Sequence, residues 1–138
     1  MSDPQYLFVY GTLRSGTGTP WSQFLAGAAT WIGLGRARGV IFHLDGYPGM
    51  TEAGSDSDWV IGEVVRLNDP ANAWPILDEY EGCGPADPLP HKFVRKIVPI
   101  EMNEGGSLDA WAYFYCFDTL GRARIYSGDY LQAIQSSA

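Results

Sequence analysis

The acidic side chain of Glu81 is where this sequence first offers chemistry. It lies near the end of the segment NDPANAWPILDEYEGCG, residues 68–84, in which Asp69 and Pro70 are the residue types that open a helix. Pro75 predicts a kink and Gly82 a stop. At about 100° per residue, Trp74, Leu77, Tyr80 and Glu81 fall in one sector, while Asp78 lies toward its edge and Glu79 turns to solvent. Glu81 is therefore expected to point inward. A carboxylate on a buried face loses hydration, and unless a guanidinium or several amides compensate, its pKa climbs toward the range useful for proton transfer near neutrality. Periodicity alone leaves two readings: a catalytic acid, or a structural one that ties down a loop or pairs with Arg95.

The second chemical element is the loop that follows YLFVY. Consecutive amides at Gly11, Thr12 and Leu13, just past a strand end, can cradle a carboxylate or a developing oxyanion. The same residues also make an ordinary glycine-enabled turn. GTLRSGT imitates the start of a phosphate-binding loop, but Thr17 stands where the lysine must be, so the cation for the phosphates is lost. GLGRARG at 33–39 misses the dinucleotide-binding spacing and has strand-like flanks. His43, His91, Cys83 and Cys116 show no metal-ligand spacing. Cys83 and His91 could act as a thiol pair only if the fold joins them, and a lone cysteine beside Gly82 and Gly84 reads more simply as a small packed residue at a turn. Nor do Asp78, Glu79 and Glu81 make a paired-carboxylate site, because helical geometry sends Glu79 away from Glu81.

The elements that must position these groups are short. The chain has 138 residues, 46% of them hydrophobic, enough for one core, and a single domain over 1–138 is expected. Nine Lys and Arg against sixteen Asp and Glu give a net charge of −7, which disfavours nucleic-acid or anionic-membrane partners. The N-terminus lacks the positive flank and apolar core of a secretion signal, and no apolar run approaches membrane-spanning length. Two cysteines are expected to stay free thiols in a reducing cytoplasm. Apolar runs predict strands at 6–10, 39–43, 59–67, 93–102 and 109–117, with a helix opened by Thr19 and Pro20, faced by Trp21, Phe24 and Leu25, and ending near Gly27. LDGYPG and NEGG read as turns. AWAYFYCF is apolar on both alternating faces and should lie deep in the sheet, as a strand lining a barrel would. The pattern is sheet-dominated α+β.

FVYGTLRSG at 8–16, followed some seventy residues later by LDEYEG at 77–82, resembles the γ-glutamylcyclotransferase superfamily, in particular its small bacterial, γ-glutamylamine cyclotransferase and AIG2-like branches. GYPG, IGEVVRL, FVRKIVPI, AWAYFY and SGDY extend the resemblance over nearly the whole chain. It implies a small mixed, largely antiparallel β-barrel with flanking helices and a pocket between the first strand's exit loop and the acidic helix. It further implies that main-chain groups of Tyr10, Gly11, Thr12 and Leu13 hold a glutamyl moiety, that Glu81 is the acid/base, and that Tyr113 or Tyr115 lines the pocket. Phe93 stands where many members have Tyr, which leaves substrate preference open. The implied reaction cyclises a small-molecule γ-glutamyl amine or peptide to 5-oxoproline and needs no cofactor or metal, because the substrate's own α-amine is the nucleophile. The alternative is a non-catalytic small-ligand binding module on the same scaffold.

Overall fold

The computed structural model describes residues 5–11, 20–44, 47–85, 87–130 and 132. In chain order these form β1 (Tyr6–Val9), α1 (Pro20–Ala28), β2 (Ala29–Arg38), β3 (Val40–His43), β4 (Pro48–Thr51), β5 (Trp59–Leu67), α2 (Pro70–Tyr80), β6 (Phe93–Met102), β7 (Ser107–Tyr115) and β8 (Ala123–Arg124). β1 pairs antiparallel with β5, β5 with β2, β2 with β6 and β6 with β7. A parallel contact, Leu7 opposite Trp111, then joins β7 to β1 and closes a five-stranded barrel. β4, β3 and β8 extend from β7 as a flap of the same sheet. The fold is thus the expected largely antiparallel barrel with flanking helices.

Alternation explains why β1 and β7 read as unbroken apolar runs. Phe8, Ala112 and Phe114 face a core shared with Met50, Val64 and Ile100, whereas Leu7, Val9, Tyr113 and Tyr115 belong to a second layer with Leu25 of α1 and Ala73 and Leu77 of α2. Both faces of these strands are therefore covered, as continuous hydrophobicity requires. The second layer seats α2 on the barrel wall beside the end of β1.

Three elements differ from the sequence reading. β2 was not expected as a strand because its inward positions are glycines: a Cβ on Gly35 would lie 2.8 Å from Cγ2 of Ile100, while Trp31 and Leu34 point outward. The hydrophobic alternation is thus inverted at the positions where backbone meets core. In GYPG, Pro48 and Gly49 begin β4 instead of lying in a turn, with Pro at the first strand position where its missing N–H is tolerated. β7 starts and stops two residues earlier than 109–117. α1 begins at Pro20, and its expected cap, Thr19, lies outside the described residues.

Candidate active site

α2 carries the predicted acid to the barrel. Asp69 is its N-cap residue, and the helix continues through the exposed Pro75. Glu81 is the C-cap, still in right-handed helical conformation (φ −82°, ψ −3°), with its N–H donating to the Leu77 carbonyl at 2.9 Å. Gly82 then takes φ +77°, a conformation glycine adopts without strain, and its N–H donates to Glu79 O at 3.1 Å. Because helical geometry persists to Glu81, the angular argument holds: Leu77 is fully buried, Glu79 is exposed, and Asp78 lies between.

Glu81 lines a cavity of about 540 Å³ together with Tyr10 and Gly11 from the exit of β1, Tyr113 from β7 and Phe93 from β6. Burial is the main cause, and the charge of Asp78 the second, of a Glu81 pKa raised from the ordinary 4.5 to about 7. Among the described residues no hydrogen bond or ion pair reaches its carboxylate. The structural alternative of a pair with Arg95 is not what forms. Arg95 grips Asp78 instead, with Nε at 2.9 Å and Nη2 at 3.2 Å from its two oxygens. The guanidinium is wedged between the Trp74 and Trp111 rings, 4.1 and 4.4 Å from their centres. Tyr113 adds a hydrogen bond from its hydroxyl to Asp78 at 2.7 Å. Asp78 thus collects the local donors, and Glu81 keeps its lone pairs for something else.

The remaining candidates are placed as follows. Tyr10 lines the cavity, but its buried hydroxyl is committed: it donates to the Tyr113 carbonyl at 2.6 Å and accepts from the Met50 N–H at 3.2 Å. Burial, reinforced by the Glu81 charge, pushes its pKa well above the ordinary 10. Gly11 is glycine because of closeness and not backbone handedness: a Cβ there would sit 2.6 Å from Cγ of Pro48. Thr12 and Leu13 lie outside the described residues. Tyr113 lines the cavity; Tyr115, two residues along the same face of β7, does not, and packs its ring against Phe93 at 5.5 Å and Phe117 at 6.0 Å. Cys83 is half-buried, and burial followed by the charges of Asp78 and Glu81 pushes its thiol up to about 12, which suppresses the nucleophilic thiolate.

Two polar cavity side chains among the described residues, Lys92 and Tyr47, are absent from the site read in the sequence. Lys92 donates from Nζ to the Tyr47 hydroxyl, and both line the cavity. Lys92 stands immediately ahead of a strand in a stretch with no periodicity or motif to single it out. Asp78 was recognised only as an edge position; its partnership with Arg95 depends on β6 crossing beside α2.

The chain also has relatives of known structure. An AIG2-like protein from Mus musculus superimposes with a TM-score of 0.70 at 20% identity, over 91% of this chain and 87% of that one. The ytfP protein of Escherichia coli is 27% identical over 94% of this chain and 98% of its own, with a TM-score of 0.62. A structure described as a gamma-glutamyl cyclotransferase matches 80% of this chain and 66% of its own at 17% identity and a TM-score of 0.59. Among curated proteins no significant match is found. The family model for gamma-glutamyl cyclotransferase, AIG2-like, matches residues 7–132, a span running from β1 to the last described residue and including the cavity. With an acid unpaired among the described residues at the end of α2, lining one cavity with the exit of β1 inside that span, the chain belongs to the gamma-glutamyl cyclotransferase, AIG2-like family.

Proposed function

We propose that this protein cyclises a γ-glutamyl amine or peptide to 5-oxoproline and releases the free amine, with Glu81 as general acid/base. The single observation that carries the reading is the Glu81 carboxylate, unpaired among the described residues and with its pKa raised to about 7, on a cavity that the exit of β1 also lines. A group titrating there is half ionised near neutrality, so it can take a proton at one step and return it at the next.

The chemistry asks little else of the protein. The substrate's α-amino nitrogen attacks its own γ-carbonyl carbon and closes a five-membered ring. Ionised Glu81 takes a proton from that nitrogen, the tetrahedral carbon collapses, the C–N bond to the amine breaks, and the proton passes to the departing nitrogen. No water is consumed and no redox change occurs. Binding the substrate folded replaces a demanding intermolecular encounter by positioning. Main-chain groups at Tyr10, Gly11, Thr12 and Leu13 hold the glutamyl α-carboxylate or the developing oxyanion. Tyr113 forms part of the wall, and its hydroxyl, occupied by Asp78, serves orientation and not proton transfer.

The test is to measure 5-oxoproline from a panel of γ-glutamyl amines and peptides with the wild type and Glu81→Gln. Product is expected from at least one substrate, with a loss of roughly a hundredfold or more in the variant. Equal turnover by the variant removes Glu81 from the mechanism, and no turnover across the panel favours a binding module.

A further inference from the structure

Beyond the groups that ring closure uses, the cavity contains a cation. Lys92 lines it, half-buried, on the segment leading into β6. Its backbone is fixed: its carbonyl accepts the Cys116 N–H at 2.8 Å, and Phe93 beside it starts β6. Its ammonium donates to the Tyr47 hydroxyl and lies 4.9 Å from the centre of that ring. An ammonium has three donors. Arg36, Arg38, Arg95, Lys96 and Arg124 each pair with an acid, whereas Lys92 meets no carboxylate among the described residues. In a chain of net charge −7, a lysine kept from acids and steadied beside an aromatic wall is a receptor for an anion brought by the ligand.

We propose that Lys92, oriented by Tyr47, binds the carboxylate of the amine that departs, so that γ-glutamyl α-amino acids are preferred over γ-glutamyl alkylamines and polyamines. The inference rests on the cyclotransferase reading above. A γ-glutamyl amino acid carries two carboxylates. The first belongs to the glutamyl group, which the exit of β1 is proposed to receive. Lys92 and Tyr47 enter the cavity from the segments ahead of β6 and β4, and the second is assigned to them. The Tyr47 and Phe93 rings lie 6.3 Å apart and make that wall largely hydrocarbon, which weakens screening of the ammonium. A leaving group bearing a second ammonium is repelled by the same field.

γ-Glutamyl-alanine and γ-glutamyl-ethylamine differ by the one carboxylate in question. The wild type is expected to favour the alanine compound by roughly 10- to 100-fold in kcat/KM, the range of a charge-assisted hydrogen bond out of bulk water. Lys92→Met should remove most of that preference, raising KM for the alanine compound far more than for the ethylamine compound. Lys92→Arg should restore much of it, and Tyr47→Phe should weaken it in the same direction. An equal loss on both substrates, or none on either, overturns the proposal. If the wild type forms no 5-oxoproline from either compound or from the panel above, the cyclotransferase reading has failed by itself. Calorimetric binding of glutaryl-alanine against glutaryl-ethylamide, which lack the attacking amine, then decides the Lys92 site: a Lys92-dependent preference for the acid supports it, and equal affinity overturns it.

Discussion

Replacing Glu81 with Gln should stabilise the protein in alkaline solution while abolishing its proposed chemistry. The variant keeps the side chain's size and removes its charge. Burial raises the native pKa of Glu81 from 4.5 to about 7, so the native state binds this proton more tightly than the unfolded chain. That contribution to stability is fully present below pH 4.5 and is lost as pH rises through about 7. At roughly 1.36 kcal/mol per pH unit, the rise corresponds to about 3 kcal/mol. The side chain is only partly buried and faces a cavity, so water screens some of the charge, and about 1–2 kcal/mol is expected at pH 8.5. For a chain of this size that is roughly 3–8 °C in Tm. Urea denaturation of both proteins at pH 5 and pH 8.5 measures it, with the variant gaining on the wild type as pH rises. A difference that is the same at both pH values, or a wild type that gains instead, would show that the carboxylate is not desolvated and would undo the argument for its reactivity.

Asp78→Asn removes a charge that raises the Glu81 pKa and releases Arg95, both of which favour the ionised acid. The acidic limb of kcat/KM should therefore move to lower pH, and stability should fall by about 1–3 kcal/mol because the guanidinium loses its partner. An unmoved limb in the pH–rate profile refutes the coupling. Cys83→Ser should keep kcat/KM within about twofold, and mass spectrometry should find Cys83 slow to alkylate at pH 7.5, since its thiol is pushed up to about 12. Rapid stoichiometric inactivation by a thiol reagent, matched by an inactive Cys83→Ser, would reinstate the cysteine as nucleophile.

Local periodicity determined what depends on neighbouring residues. The spacing of Leu77, Tyr80 and Glu81 sets the direction of the acid independently of any tertiary contact, because each helical residue turns by a fixed angle. The continuous apolar runs at 6–10 and 110–117 likewise announced strands covered on both faces, because alternate side chains must both find cover, although Cys116 and Phe117 lie past the end of β7 and are exposed. The tertiary structure decided what depends on crossings between distant segments. Periodicity could not say whether Arg95 would reach Asp78 or Glu81, two acids one helical turn apart; the approach of β6 to α2, with Trp74 and Trp111 enclosing the guanidinium, gave it to Asp78. Tyr113 and Tyr115 share a face, and only the position of the cavity along β7 separates them. β2 hid behind the inward Gly33 and Gly35, whose reason is the bulk of Met102 and Ile100 on the neighbouring strand β6. Lys92 carries no signal in its own neighbourhood, because what distinguishes it is Tyr47, forty-five residues away.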